Sequence, residues 1–374
     1  MNAKLYFATN RNHKGSNQWQ PEGYGKKFSN DGHFNLRFGK LNVHLNESEV
    51  HKHLNKGFGH DRKGDGEGLT GYIAGKMKEA NIEAYKDDTA TTNKQIEFKA
   101  NSSTLFFKDL KKDMEKEADV LIFIHGYNVS WYEAAGSAIS LQMMLNHKRN
   151  TAEKEIIVVL FSWPSNGSMM PYAAYKSDRS DARDSAQAVG RAMLKLKDFL
   201  AEIKTNHSDE MMRPCFNKIH LLAHSMGNYV LQNSLVKIKG YSGGNRMPRI
   251  FENIFLCSAD VDDDCLEEGQ KMGQLHDLCN HISIYHNKGD LAMYISDYTK
   301  GHPQRLGNAG VARPQLIHNK IQQVNCSSIV KGIVEHSYYQ WATVNDDIRM
   351  TLDELPFDNA LRRRTGQLRE WELY

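Results

Sequence analysis

The sequence lacks the cysteine patterns of disulfide scaffolds and zinc sites. It contains five cysteines, an odd number, and no two of them form a Cys-x-x-Cys pair; they stand at positions 215, 257, 265, 279 and 326. Cys257 lies inside an apolar run of the kind that forms buried strands. We therefore expect reduced thiols in a cytoplasmic protein, with neither a disulfide framework nor a zinc site.

Long hydrophobic runs and a large excess of one charge are absent as well. No stretch approaches the roughly 18 consecutive apolar residues of a membrane-spanning helix, so we expect no membrane span. The formal net charge is only +3 over 374 residues, which gives no general reason to expect nucleic-acid binding. The N-terminal residues contain no charged segment followed by an apolar one, as a secretory leader would. These absences favour a soluble intracellular protein.

The residues that are present indicate an α/β fold. Apolar residues make up 40% of the sequence and charged residues 25%, which is enough for a large core. Short apolar runs alternate with helical patterns, and the predicted strands cover residues 4–9, 120–124, 156–161, 219–223, 254–257, 282–285 and 321–326. Helices are predicted at about 103–116, 130–145 and 180–204, and from 266 onward. This alternation predicts a mostly parallel central sheet with helices on both faces.

We expect one α/β domain over residues 1–374. It comprises an N-terminal extension with the first strands (1–117), a catalytic core (118–341) and a C-terminal tail (342–374). Residues 10–70 are polar and rich in glycine, and we predict that they are irregular. The tail is charged from Arg362 onward, and we predict that it is solvated and partly mobile.

Two motifs in the N-terminal extension look like cofactor sites but lack the necessary context. Gly66, Gly68 and Gly71 match the dinucleotide-binding pattern G-x-G-x-x-G, yet no hydrophobic strand precedes them. We predict a flexible loop there and a helix at about 72–81. The histidines at 51, 53 and 60 have no fourth ligand at a suitable spacing, so a solvated loop is expected rather than a metal site.

The strongest signal for function is a serine on a predicted sharp turn. The short buried strand 219–223 is followed within two residues by a helical pattern. Ser225 stands in the turn, and the small residues Ala223 and Gly227 flank it where backbone must approach closely. This is the nucleophile elbow G-x-S-x-G with alanine for the first glycine. Such a turn exposes the hydroxyl and aims the amide of Met226 at a developing oxyanion. The alternative is a serine N-cap on a buried helix.

A serine nucleophile needs a histidine base and an acid that orients it. In α/β proteins with a nucleophile elbow, the acid follows the serine along the chain and stands at the carboxyl end of a strand. Asp290 follows the predicted strand 282–285, whereas Asp260 and its neighbours, at 262, 263 and 264, follow the strand before it. We favour Asp290, because the acid most often follows the later strand. The aspartate cluster fails the calcium-loop template, since Cys265 stands where the invariant glycine belongs. An acid-rich helix N-terminus is its expected explanation.

His336 is the favoured base among the histidines of the chain. It follows the last predicted strand, whereas His302 and His318 lie in the polar stretch before that strand.

The second donor of the oxyanion hole is expected after the buried strand 120–124, where His125 and Gly126 begin a turn. Hydrolases with a nucleophile elbow place this donor at such a turn, so we expect it to be the Tyr127 amide.

Five segments together resemble an uncharacterised bacterial family of α/β-hydrolases close to the esterases and lipases. They are His-Gly-Tyr-Asn (125–128), Ser-Trp-Pro-Ser (162–165), Ala-His-Ser-Met-Gly-Asn (223–228), Asn-Lys-Gly-Asp (287–290) and Glu-His-Ser-Tyr-Tyr (335–339). The resemblance covers roughly residues 120–341. It implies Ser225 as nucleophile, Asp290 as acid and His336 as base. It also implies a cap-like loop after Pro164, with Met169, Met170, Tyr172 and Tyr175 in it. A fold resemblance gives no substrate.

The sequence thus predicts a serine esterase or lipase-like acyl hydrolase. It would cleave acyl esters through Ser225, Asp290 and His336 and an acyl-enzyme intermediate, with the amides of Tyr127 and Met226 as oxyanion hole. No metal and no other cofactor is expected, and the expected substrate is a small-molecule or lipid-like acyl ester. The alternatives are a thioesterase or amidase with the same site, and a non-catalytic binding protein on the hydrolase fold. The residues of the cap-like loop either line the acyl pocket or pack under the following helix.

Overall fold

The computed structural model describes residues 1–57, 62–86, 102–116, 118–148, 150, 153–165, 171–205, 217–241, 247–293, 304–330 and 335–374, without the side chains of 171–174 and 200–205. Its strands are β1 (Asn2–Thr9), β2 (Arg11–Lys14), β3 (Gly23–Phe28), β4 (Arg37–His44), β5 (Asn81–Ala84), β6 (Ala118–Ile124), β7 (Glu155–Ser162), β8 (Ile219–His224), β9 (Phe251–Cys257), β10 (Cys279–His286), β11 (Ile321–Asn325), β12 (Arg362–Arg364) and β13 (Glu370–Leu373). All but β2 and β3 form one 11-stranded sheet, in the order β12-β13-β11-β10-β9-β8-β6-β7-β1-β4-β5.

The sheet is mostly parallel, as predicted. The eight strands from β13 across to β1 run parallel to one another. Only β12, β4 and β5 pair antiparallel, at the two edges. The central strands are continuous apolar runs because both of their faces are covered. In β6, for example, Val120 and Ile124 lie in one hydrophobic cluster and Leu121 and Phe123 in the other.

Helices cover both faces of the sheet, which confirms the predicted fold class. They are α1 (Glu47–Leu54), α2 (Gly66–Lys76), α3 (Ser102–Met114), α4 (Trp131–His147), α5 (Pro171–Thr205), α6 (Gly227–Tyr241), α7 (Leu306–Ala309) and α8 (Ala342–Leu352), with 3-10 turns at Met77–Glu79, Leu275–Leu278, Pro314–Leu316 and Tyr338–Gln340. Helices α3, α5 and α6 pack on one face, and α1, α2, α4 and α8 on the other. Among these described helices, none is both long enough and apolar enough to cross a bilayer.

The predicted irregular stretch 10–70 is instead largely ordered, so that prediction is wrong. It contains β2, β3, β4 and α1. Strand β4 pairs antiparallel with β1 along its whole length, from Asn2 opposite His44 to Thr9 opposite Arg37. A Cβ atom on Gly39 would lie 2.2 Å from the ring of Phe7. Glycine is therefore needed in this strand, since it makes room for a core aromatic ring on β1.

The three glycines of the G-x-G-x-x-G match lie in a helix and not in a flexible loop. Helix α2 begins at Gly66, and the Asp65 side chain caps it by accepting from the Gly68 amide at 2.8 Å. A Cβ atom on Gly66 would lie 2.5 Å from the Gln340 carbonyl oxygen. Close helix packing therefore explains this glycine. His51 and His53 lie on α1 and not in a loop, and residue 60 is outside the described residues.

Two further predictions for the C-terminal half are corrected. The helical pattern from Leu266 onward forms successive turns, and the acid-rich helix start expected before it is absent from these described residues. Gly269 has a positive φ of 81°, which favours a turn. In the tail, β12 and β13 join the sheet beside β11. Arg362 there donates to both carboxylate oxygens of Asp347, at 2.6 and 2.7 Å, with both side chains fully buried. The tail is thus paired into the sheet, with Arg362 in the core and Arg363 and Arg364 exposed.

Candidate active site

Ser225 lies in the sharp turn that the sequence predicts. Strand β8 ends at His224 and α6 begins at Gly227. Ser225 has a φ of 52°, a left-handed conformation that is uncommon for a residue other than glycine and that concentrates at functional sites. Its amide donates to the Cys257 carbonyl at 3.0 Å, which holds the turn against the end of β9. A Cβ atom on Gly227 would lie 2.5 Å from the Ile124 carbonyl oxygen, so the turn requires glycine at that position.

Asp290 and His336 form a hydrogen-bonded pair at the carboxyl edge of the sheet. Nδ1 of His336 lies 2.8 Å from Oδ2 of Asp290. The aspartate is fully buried, whereas the histidine side chain is 21% exposed. The other carboxylate oxygen, Oδ1, accepts from the amide of Ala292 at 3.1 Å. Because a carboxylate only accepts, Nδ1 carries the proton and Nε2 of the neutral ring is left as the basic atom.

The rival residues have other partners. Oδ2 of Asp260 accepts from the Tyr175 hydroxyl at 2.7 Å, and its Oδ1 lies 3.8 Å from Nε of Arg305. The amide of Asp260 still donates to the Ser225 carbonyl at 3.2 Å, so Asp260 is a neighbour of the turn. His318 stacks on His276 with ring centroids 3.9 Å apart, before the start of β11 and thus at the opposite edge of the sheet. Residue 302 is outside the described residues.

The backbone of His336 is held from behind by two side chains that sequence reasoning missed. Its carbonyl oxygen accepts from Nε2 of His224 at 3.1 Å and from Oγ of Ser258 at 2.8 Å. The ring centroids of His224 and His336 lie 4.8 Å apart. Tyr339 packs on the His224 ring, with centroids 4.7 Å apart. Burial lowers the pKa of His224 well below its ordinary value, so the ring is a neutral donor to this carbonyl. The position of His224, at a strand end and directly before Ser225, was the sequence signal that could have identified it.

The loop after β6 packs directly against the serine turn. A Cβ atom on Gly126 would lie 2.8 Å from Cβ of Ser225, so only glycine fits there. Nδ1 of His125 bonds the Gly126 carbonyl oxygen at 2.9 Å. Burial and the neighbouring Arg11 lower the pKa of His125 to about 3, which keeps the ring neutral. The loop therefore carries a fixed carbonyl beside the serine.

Both expected oxyanion donors lie at this junction. Met226 stands directly after Ser225, and within the described part of the chain its amide has no hydrogen-bond acceptor. Tyr127 follows Gly126 in the loop. Further along, the amide of Asn128 donates to Oδ2 of Asp178 on α5 at 3.2 Å. The loop is thus anchored from the α5 side.

The expected cap-like loop is shorter than predicted. Helix α5 begins at Pro171, so Tyr172 and Tyr175 lie on a helix, while residues 169 and 170 are outside the described residues. Tyr175 is buried, and its ring packs edge-on against that of Tyr127 with centroids 5.7 Å apart. Because its hydroxyl also donates to Asp260, Tyr175 connects the loop after β6 with the end of β9.

Comparisons with known proteins identify a family and individual proteins that this chain is similar to. A sequence profile described as "Alpha/beta hydrolase of unknown function (DUF900)" matches residues 98–346. An uncharacterised protein of Nostoc sp. is 30% identical over 169 residues, which are 40% of this chain and 39% of that protein. The match thus spans about two fifths of that relative's length. A solved protein of Lactobacillus plantarum WCFS1, whose own assignment as a cell surface hydrolase is provisional, matches with 12% identity and a TM-score of 0.32 over 64% of this chain and 94% of that chain.

Proposed function

Since the chain belongs to the alpha/beta hydrolase family of unknown function and has the α/β-hydrolase fold, we propose that it is a serine esterase or lipase-like acyl hydrolase. The observation that carries the proposal is the 2.8 Å bond between His336 and the fully buried Asp290. Both follow strands that end at the same edge of the sheet as Ser225. A serine, a histidine and a buried acid at one edge of the sheet are the parts of a catalytic triad.

In the proposed reaction Ser225 attacks the acyl carbonyl while Nε2 of His336 takes the hydroxyl proton. The bond from Oγ to the acyl carbon forms, and the imidazolium that results is stabilised by the carboxylate of Asp290. His336 then gives the proton to the leaving alcohol as the ester bond breaks. A water molecule, deprotonated by the same nitrogen, releases the acid from the acyl-enzyme and returns Ser225 to its hydroxyl form.

The orientation of the loop after β6 supports Tyr127 as an oxyanion donor. The Gly126 carbonyl is turned toward the His125 ring. In a planar trans peptide the N–H of the next residue points the opposite way, so the Tyr127 amide faces away from that ring. The Met226 amide, at the head of α6, is the proposed second donor. Two backbone amides aimed at a developing negative charge form the usual oxyanion hole of acyl transfer.

The chemistry of this site also suits thioesters and amides, because the same nucleophile attacks all three carbonyls. A panel of substrates matched in acyl group and differing only in the leaving atom separates these activities.

We further propose a cytoplasmic location and a small-molecule or lipid-like acyl ester as substrate. The thiols of Cys257, Cys265, Cys279 and Cys326 are free in the structure, which supports a reducing compartment.

The decisive experiment compares Ser225→Ala with Ser234→Ala. Ser234 is a matched control, since it is also buried, lies on α6 and donates its hydroxyl to the Val230 carbonyl in its own helix at 2.8 Å. We expect Ser225→Ala to abolish fluorophosphonate labelling and to lower ester turnover by a factor on the order of 10⁴ or more. The control should keep both. If folded Ser225→Ala protein still hydrolyses esters, or if the wild-type protein is not labelled, the proposed mechanism is wrong.

A further inference from the structure

We propose that Arg11 is a positioning residue for the oxyanion loop, defined as residues 125–129. The inference rests on the proposed function, and it deepens that function by giving the N-terminal extension a part in catalysis. Arg11 stands outside the residues that the family profile matches. Its guanidinium is fully buried and spans the gap between three strand ends. It would hold the loop so that the Tyr127 amide stays aimed at the oxyanion.

Strand register brings Arg11 to the candidate site. Strand β1 is parallel to β7, with Thr9 opposite Ser162, and β7 is parallel to β6, with Phe161 opposite Ile124. The three strands therefore end at one edge of the sheet. Arg11 begins β2, two residues after β1 ends. Its side chain crosses the end of β7 to reach the loop that follows β6.

The hydrogen bonds of the Arg11 guanidinium tie these strand ends together. Nε donates to Oγ of Ser162 at 2.9 Å, and one terminal nitrogen donates to the Gly25 carbonyl of β3 at 3.0 Å. The other terminal nitrogen donates to the Val129 carbonyl at 2.8 Å and lies 3.4 Å from Nε2 of His125. One rigid, planar group thus contacts both ends of the oxyanion loop. Lysine cannot reproduce this fork, since it offers a single nitrogen.

Arg11 and the Trp163 amide act together on the tautomer of His125. Nε2 of His125 faces the guanidinium and accepts from the Trp163 amide at 3.3 Å. The ring proton therefore sits on Nδ1, where it bonds the Gly126 carbonyl at 2.9 Å. That bond sets the plane of the peptide between Gly126 and Tyr127. A loss of Arg11 would remove one of the contacts that hold this ring and the Val129 end of the loop, and would so loosen the direction of the proposed donor.

Among the residues that the structure describes, no carboxylate forms a direct ion pair with Arg11. In the described residues its four neighbours are carbonyl, hydroxyl and imidazole groups, and the carboxylates that act on it, Asp178 and Glu133, do so at longer range. Burial lowers the pKa of Arg11 to about 9, which leaves the guanidinium charged at neutral pH. A buried positive charge behind the loop, with these carboxylates at longer range, would favour an oxyanion in front of the loop.

The test compares Arg11→Gln and Arg11→Lys with the control Arg349→Gln. Arg349 is also buried, but it bonds Asp353 and the Lys154 carbonyl just before β7, at the opposite edge of the sheet. The measurements are kcat and KM for a short activated ester, the inhibition constant of phenylboronic acid and the Tm. Phenylboronic acid forms a tetrahedral adduct with a catalytic serine, so its affinity reports the oxyanion hole.

We expect Arg11→Gln to lower kcat on the order of 10²-fold, comparable to the loss of one oxyanion donor, with KM within about twofold. Phenylboronic acid should bind Arg11→Gln more weakly than the wild type, in proportion to the loss of kcat. The kcat and the boronate affinity of Arg11→Lys should lie between those of Arg11→Gln and the wild type. Arg349→Gln should lower Tm but keep kcat. The inference is overturned if folded Arg11→Gln keeps both kcat and boronate affinity, or if Arg349→Gln loses kcat equally.

If Arg11→Gln does not fold, Arg11→Lys decides: wild-type kcat and boronate affinity in that variant would overturn the inference, and a joint loss would support it. The Ser225→Ala variant keeps the two proposals apart. Turnover that persists in Ser225→Ala refutes the serine hydrolase, whereas an intact serine-dependent activity that ignores Arg11 refutes only the role of Arg11.

Discussion

Asp290→Asn should disable the base without unfolding the protein, and the reason lies in the two hydrogen bonds of the carboxylate. One oxygen accepts from the Ala292 amide at 3.1 Å, and the other accepts from Nδ1 of His336 at 2.8 Å. An asparagine has one acceptor oxygen and one donor NH₂ group. If its oxygen keeps the bond to Ala292, the NH₂ group faces Nδ1. His336 must then present a lone pair at Nδ1 and carry its proton on Nε2, which is the wrong tautomer for a base.

The size of the effect follows from the alternatives open to the asparagine. Flipping the amide to serve His336 would set two N–H donors against each other at Ala292, which is unfavourable by about 2 kcal/mol. That difference leaves the productive orientation roughly 30-fold depleted. Loss of the negative charge opposite the imidazolium removes a further charged hydrogen bond, worth about 1.5–3 kcal/mol. Together these effects, about 3.5–5 kcal/mol, lower kcat by roughly 400- to 5,000-fold, somewhat less than the roughly 10⁴-fold loss for the corresponding change in serine proteases.

The assay is hydrolysis of a short activated ester, followed together with thermal unfolding on the same preparation. Asp260→Asn is the matched control, because that carboxylate is equally buried and lies near the serine turn but pairs with Tyr175 and Arg305. It should lose stability and little turnover. A severe loss of turnover in Asp260→Asn with a mild one in Asp290→Asn would reverse the assignment of the acid.

Two further outcomes are expected. His224→Phe keeps a ring against Tyr339 but removes the donor to the His336 carbonyl, so kcat should fall about tenfold through misplacement of the base; a lower Tm with unchanged kcat would show a merely structural role. The second concerns acid. The pKa of His125 is about 3 in the folded protein and about 6.5 when unfolded, so the unfolded state binds more protons below pH 6.5 and stability falls as pH drops. At pH 5 this amounts to about 2 kcal/mol. Denaturant unfolding at pH 7 and pH 5 should show that His125→Gln removes this part of the pH dependence; an equal dependence in both proteins would contradict it.

Much of the central sheet and of the serine turn could be predicted, because both depend on local patterns. Strands buried on two faces are continuous apolar runs, and β6 and β8 are read directly from such runs. The turn at Ser225 needs small residues at fixed spacing, which a short window contains. The order of acid and base along the chain then narrows the choice to Asp290 and His336.

The missed features depend on partners far away in the chain. Arg11 acquires its neighbours only when β1 is placed beside β7, and the sequence contains no mark of that pairing. Arg362 belongs to a charged run that normally indicates a solvated end, yet a buried carboxylate on α8 compensates it. Strand β4 carries glycine where a core ring crosses it, so its composition resembles a loop. In each case a long-range contact overrides a local preference.

The position of β1 between β7 and β4 has a consequence for the order in which the protein is made. Domains begin to assemble N-terminus first during synthesis, and β1 can pair with β4 as soon as residues 37–44 have emerged. Its other partner, β7, ends only at Ser162. Until then the guanidinium of Arg11 has no Ser162 hydroxyl and no enclosing core, so it remains hydrated on the nascent chain. Strand β1 thus lies at the edge of an incomplete sheet until β7 pairs with it, and that pairing buries Arg11.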